Sequence, residues 1–137
     1  MTLLLDTNVV LDVLAHRTPW YDHSAAVLSM AESGAAEAFV AAHGITTLAY
    51  LLTKHRGREV ASSALLDLLE IVRVAEVSHE TIVKGLTLGW ADVEDAVHAV
   101  CALDAGADYF VTRNPADFRA LTIPVVTPSQ LVALQPG

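Results

Sequence analysis

Cysteine is nearly absent: Cys101 is the only one in 137 residues. No internal disulfide can form, which sets aside the small stapled scaffolds and fits a reducing compartment, so the chain is expected to act in the cytoplasm. With apolar neighbours and no adjacent cation, Cys101 reads as a small buried hydrophobe. Positive charge is scarce as well. Eight Lys and Arg stand against sixteen Asp and Glu, a net charge of −8. A broad electrostatic grip on nucleic acid is therefore not expected. An acidic protein that handles phosphates needs metal ions, a local basic patch or a basic partner. No apolar run approaches the ~20 residues needed to span a bilayer. The longest are broken by charge, as in Leu65-Leu66-Asp67-Leu68-Leu69-Glu70. No basic stretch precedes an apolar one near the N-terminus, and Asp6 interrupts the opening strand, so neither a membrane span nor a secretory signal is expected. The sequence also lacks G-x-S-x-G, P-loop and G-x-G-x-x-G motifs, so serine hydrolysis, Walker-type NTP hydrolysis and Rossmann dinucleotide binding go without their signatures. His16, His23, His43, His55, His79 and His98 are scattered, with no H-x-x-x-H pair and no cysteine companions, and no zinc set is expected from them.

What is present is apolar and regularly punctuated. The chain is 53% hydrophobic and 18% charged, which excludes the disordered and low-complexity classes. Residues 1–137 are expected to form a single domain with its own core. Thr2-Leu3-Leu4-Leu5 reads as a buried parallel strand. Further strands are expected at Ala38–Ala41, Arg73–Val77, Asp108–Thr112 and Ile123–Val126, the last at an edge because it contains Pro124. Helices are expected over Asn8–Ala15, Tyr21–Ser33, Ile45–Thr53, Ala61–Val72, Glu80–Leu88, Asp92–Leu103 and Ser129–Leu134. Ser78 is placed to cap the fifth of these. Strands alternating with helices give an α/β fold, a three-layer sandwich around a central, mostly parallel sheet of four to five strands.

In such sheets ligands bind beyond the carboxyl ends of strands. The first strand runs straight into Asp6-Thr7-Asn8. The fourth runs into Thr112-Arg113-Asn114-Pro115-Ala116-Asp117-Phe118. Between them a helix opens with Asp92-Val93-Glu94-Asp95. Taken singly, Asp6, Asp92 and Asp117 have a plain reading as helix or turn caps. Asp95 is different. It lies in a first helical turn beside Ala96, Val97 and Val100, on a face near the core, where a carboxylate wants a metal or a cation. Glu94, about 100° around the helix, is either a second carboxylate for the site or a solvated residue. Carboxylates converging on one point repel, and the usual relief is a hard divalent cation such as Mg²⁺ or Mn²⁺. Asn8 and Thr112 would add neutral groups that orient water or phosphate. An opening Asp-Thr-Asn also resembles phosphatases with an Asp nucleophile, but those require a second Asp where Asn8 stands.

Together these segments resemble the PIN domain family of metal-dependent ribonucleases. Leu3-Leu4-Leu5-Asp6-Thr7-Asn8-Val9-Val10-Leu11 is similar to its opening strand and first acid. Asp95 to Leu103 is similar to the helix that carries its third acid. Ala107 to Phe118 is similar to its closing strand and Thr-Arg…Asp-Phe signature. Size and acidity are similar to the VapC-type toxins of toxin–antitoxin pairs. The chain departs from the family at two points. Tyr50 stands where a second acid is common, and Asn114 stands after Thr112-Arg113 where the fourth acid often sits. Glu94, in the Asp92–Asp95 run, is placed to compensate.

The resemblance and the site chemistry imply a Mg²⁺- or Mn²⁺-dependent endoribonuclease that leaves 5′-phosphate and 3′-hydroxyl ends. Asp6, Asp95 and Asp117 would hold the ion, with Asp92 or Glu94 assisting through water. Asn8, Thr112 and Asn114 would orient water and phosphate. Arg113 would either stabilise phosphate charge or form an ion pair. Lys54, Arg56 and Arg58 form the one basic cluster, either steering RNA or closing a solvated turn. The helices Ile45–Thr53 and Ala61–Val72 would form a hairpin, which serves either the core or a second copy or antitoxin segment. The expected partners are an RNA substrate, a cognate antitoxin and a second copy of the chain. The rival reading is a degenerate PIN module that binds RNA or protein without cutting.

Overall fold

The computed structural model describes residues 1–135. Five short strands, β1 (Thr2–Leu5), β2 (Glu37–Ala41), β3 (Arg73–Ala75), β4 (Tyr109–Val111) and β5 (Val125–Val126), form one sheet. Its order is β3-β2-β1-β4-β5 and every pairing is parallel. The expected mostly parallel sheet is thus entirely parallel and has five strands. Pro124 and Ile123 fall outside β5, which is shorter than expected. β5 does lie at an edge, and the Pro124 carbonyl still accepts from the Phe110 amide at 2.9–3.0 Å spacing typical of a ladder bond, here 3.0 Å.

Strand periodicity explains the three layers. Leu3 and Leu5 belong to one core cluster, with Val9, Val27, Val40, Leu48 and Leu131. Leu4, between them, belongs to the other, with Val97, Cys101, Phe110 and Phe118. Alternate residues of β1 therefore feed opposite faces, and both faces are covered, so the strand reads as an unbroken apolar run. Helices α1 (Thr7–Leu14), α2 (Tyr21–Glu32), α3 (Ala42–Arg56), α4 (Arg58–Leu69) and α7 (Pro128–Leu134) pack on the first face. Helices α5 (His79–Thr87) and α6 (Val93–Asp104) cover the second.

Capping follows the expected chemistry at α5. Ser78 accepts from the Thr81 amide while Thr81 bonds back to the Ser78 amide, a reciprocal cap. Helix α3 runs further than expected at both ends. Lys54, His55 and Arg56 form its last turn, where cations suit the carbonyl end of the helix. Only Gly57, at φ +84°, breaks the chain before α4, a conformation that glycine adopts without steric cost. Cys101 is buried, and burial, aided by Asp104, pushes its thiol up to about 11.

Candidate functional site

The strand order reverses beside β1: β2 lies on one side and β4 on the other. The carboxyl ends of β1 and β4 therefore border the crevice where open parallel sheets bind ligands. Asp6 leaves β1 there and is only 7% exposed. Its two oxygens have separate anchors. One accepts from the Thr7 amide at 2.7 Å, capping α1, and the other accepts from the Thr112 hydroxyl at 2.8 Å. Asp6 is thus both a cap and a site residue, and its carboxylate is held in a fixed plane. Thr112, fully buried at the end of β4, in turn accepts from the Asn114 amide at 3.1 Å. Asn8 is half-buried, and its Oδ1 accepts from the Arg113 amide at 3.4 Å.

The second segment enters from α6. Asp92 is the N-cap, its Oδ1 accepting from the Asp95 amide at 3.1 Å. Glu94 is exposed and Asp95 half-buried. The third segment is a 3₁₀ turn, Pro115–Phe118, carrying Asp117. Asp117 does not cap this turn. It lies within it and faces an open cleft shared with Trp90, Asp92, Asp95 and Arg119.

Electrostatics show that the segments meet. The Asp95 carboxyl is pushed up to about 7, first by burial and then by the charges of Asp92, Asp6, Asp117 and Glu94. Among the described residues, none of these five acids has Lys or Arg within ion-pair distance. Arg119, at the cleft wall, donates to the Ala116 carbonyl instead. The result is a concentration of negative charge whose one basic neighbour within ion-pair distance, among the described residues, is the His98 imidazole. Among the described residues, the one group of three His, Cys, Asp or Glu side chains whose ligand atoms all lie within 4.8 Å of one another is His43, Glu94 and His98, so no three of the five carboxylates are gathered that tightly. Oxygen donors with excess negative charge, set apart rather than in a closed shell, fit a hard cation that retains water, as Mg²⁺ does.

Sequence reasoning missed the partnership of His43 and His98, which are 55 residues apart and 3.1 Å from each other through Nε2 and Nδ1. Both nitrogens also address the Glu94 carbonyl, at 3.2 and 2.9 Å. His98 Nε2 sits 3.3 Å from the Thr7 hydroxyl and 3.9 Å from Asp6 Oδ1. Contrary to expectation, the histidines are therefore not all scattered. Two converge behind Asp6, brought together by α3 and α6, and no local spacing signals it. Burial, then His98, holds His43 below the ordinary histidine range. Because their facing nitrogens are committed to a backbone carbonyl, the pair braces α3 against α6. Gly44 makes this packing possible: a Cβ there would sit 2.8 Å from Thr7 Oγ1.

Arg113 settles into an ion pair. Its Nε lies 2.8 Å from Asp12 Oδ2, close but not aligned as a hydrogen bond, with Asp12 fully buried in α1. Arg17 adds a weaker contact at 3.6 Å. Burial still raises the Asp12 carboxyl above its usual range, despite both cations. The guanidinium also covers the ring of Trp20, 4.0 Å from its centroid. Asp12 was another residue missed from sequence, because its partner lies at the far end of the chain. Tyr50 is 66% exposed on α3 and contributes nothing to the pocket.

An all-parallel five-stranded sandwich with acids at the switch point between β1 and β4 defines a class of α/β site proteins. The family model for the PIN domain matches residues 2–116, and the chain belongs to that family. Solved structures share the fold. VapBC from Salmonella typhimurium, bound to DNA, superposes with a TM-score of 0.74 at 15% identity, covering 93% of this chain and 98% of that one. VapBC2 from Rickettsia felis, bound to a promoter fragment, gives 0.71 at 18% identity, with the same shares of 93% and 98%. VapC20 from Mycobacterium tuberculosis, a toxin that cleaves the sarcin–ricin loop, gives 0.64 at 14% identity over 79% of this chain and 86% of that one. No curated protein is matched by the sequence. Among the described residues, no helix is long and apolar enough to cross a membrane.

Proposed function

We propose that this chain is a divalent-metal-dependent endoribonuclease, the toxin of a toxin–antitoxin pair acting in the cytoplasm. The observation that carries the reading is the Asp95 carboxyl, raised to about 7 by burial and by four further acids, with no Lys or Arg among the described residues paired to any of them. Asp6, Asp95 and Asp117 would hold Mg²⁺ or Mn²⁺, with Asp92 and Glu94 acting through water. When bound, such an ion neutralises phosphodiester charge and makes water a better nucleophile. The chain supplies the positioning. Thr112 and the Thr7 amide hold both Asp6 oxygens in place. Thr112 therefore acts through Asp6, its proton being spent there. Asn8 has its oxygen engaged by the Arg113 amide, which leaves its NH₂ to donate to a phosphate oxygen. Asn114, exposed beside it, would orient the water or the phosphate.

Family membership supports nuclease chemistry, and the VapBC structures support an antitoxin partner. Exposed Tyr50, Val60 and Leu66 on α3 and α4 offer apolar surface for the antitoxin or for a second copy. A non-cleaving PIN module is favoured by two departures, the exposed Tyr50 at the place of the second acid and Asn114 at the place of the fourth. The test is cleavage of RNA by the purified chain with Mg²⁺ or Mn²⁺, alongside calorimetric Mn²⁺ binding. The nuclease reading expects turnover that EDTA abolishes and that Asp6→Asn and Asp95→Asn remove. Mn²⁺ binding with no RNA turnover would favour the non-cleaving module.

A further inference from the structure

One residue past Thr112, Arg113 enters the wall of another cavity, of about 360 Å³, lined also by Trp20, His23, Ser24, Thr127 and Ser129 among others. Three features distinguish it from the acidic cleft. Trp20 remains 40% exposed although Arg113 covers part of its ring. The Arg113 charge is offset by Asp12, so the wall presents flat π surfaces rather than free positive charge. The Ser24 hydroxyl, 0% exposed, has no hydrogen-bond partner among the described residues, an arrangement that costs free energy unless something fills it. Thr127 and Ser129, by contrast, bond to each other, and Thr127 also accepts from the Gln130 amide.

We infer that this cavity takes one unstacked nucleobase of the RNA strand being cut. The identification of the ligand as RNA rests on the nuclease reading. Bases in single strands are held by stacking on aromatic rings and guanidinium planes, with a few hydrogen bonds to their edges. Trp20 and Arg113 supply the planes, and Ser24 supplies the edge contact by rotating its buried, unpartnered hydroxyl into the cavity it lines. An anion is a poorer fit, because Arg113, the one Lys or Arg among the described lining residues, already has a carboxylate partner in Asp12. The placement suits a flanking nucleotide. Arg113 follows Thr112, whose hydroxyl holds Asp6, and the Arg113 amide donates to Asn8. A strand with its phosphate at the acids can therefore lay the next base beside Trp20.

The chain has two tryptophans, so Trp90→Phe leaves Trp20 as a lone fluorescent reporter. The full chain carrying this change is titrated with the four ribonucleoside 5′-monophosphates and with ribose 5-phosphate. Saturable quenching by at least one nucleotide, weakened several-fold by Ser24→Ala and absent with ribose 5-phosphate, is expected. Equal quenching by ribose 5-phosphate would put an anion on Arg113 and overturn the base assignment, as would no quenching at all. In parallel, cleavage of a short unstructured RNA is followed for the parent, Trp20→Ala and Trp20→Phe. Trp20→Ala raises KM about ten-fold with little change in kcat, and Trp20→Phe restores it. If the parent cleaves and Trp20→Ala cleaves equally well, the base subsite falls while the nuclease stands. If nucleotides quench Trp20 but no RNA is cut, the nuclease reading falls and the base-binding cavity remains.

Discussion

Replacing Asp95 by Asn should stabilise the protein, although it removes a proposed metal ligand. The Asp95 carboxyl titrates near 3.8 when free and near 7 in the folded chain. Well below pH 3.8 both states hold the proton and the site exerts no penalty. Between these values the folded state binds more protons than the unfolded one, so stability falls as pH rises, and above about 7 the loss is complete. A rise of this size corresponds to about 4 kcal/mol. Asp95 is only half-buried and its repulsions are partly screened by solvent, so about 1–2 kcal/mol is the realistic effect. Asn keeps the shape and drops the charge, and the capping bond to Asp92 comes from the backbone amide and survives. Urea denaturation in EDTA at pH 4.5 and 8.5 reads the difference. Wild type and Asp95→Asn should be nearly equal at the lower pH, with the variant ahead at the higher. Adding Mn²⁺ should reverse the ranking, because an ion bound only by the folded wild type stabilises it, by about 2.7 kcal/mol at a hundred times its Kd. A variant less stable at both pH values, or a gap independent of pH, would refute the idea that these acids converge without a Lys or Arg partner.

Thr112→Val removes the hydroxyl that holds Asp6 while keeping the shape of the side chain. It should cost about 1.5–3 kcal/mol in urea unfolding and lower RNA turnover at least ten-fold. Gly44→Ala drives a methyl group against Thr7 Oγ1 and should destabilise by about 1–3 kcal/mol, seen as a lower unfolding midpoint in urea. Arg113→Met leaves the buried Asp12 carboxylate with only the looser, 3.6 Å contact of Arg17 and should cost about 3 kcal/mol. Cys101, buried with its thiol near 11, should resist thiol reagents at pH 8 until denaturant is added.

What the sequence disclosed was what neighbours in the chain determine. β1 showed as an apolar run because both its faces are covered, and Asp6 showed because it follows that run. The Asp92 cap and the Ser78 cap are set by residues three positions away. The turn at Gly57 was placed, but the helix before it continues through the basic residues, since α3 gains more from packing than from stopping early. The convergence of Asp6, Asp95 and Asp117 needed the fold as an intermediate step. Two other contacts were out of reach. His43 meets His98, and Asp12 meets Arg113, only because the parallel sheet gathers α3, α6, α1 and the segment after β4 at the carboxyl end of its central strands, and no periodicity along one segment records that. Arg113 illustrates the limit: its sequence context allowed either a phosphate contact or an ion pair, and only the position of Asp12 decided for the pair.

The order of the sheet has a temporal consequence. β4 slots between β1 and β5, so Thr112 cannot grip Asp6 until the last quarter of the chain is in place. The acids that gather in the crevice come from three distant stretches, and none can gather early. A half-made chain on the ribosome would carry the first aspartate without its companions. The acids can share one crevice only once synthesis is almost finished.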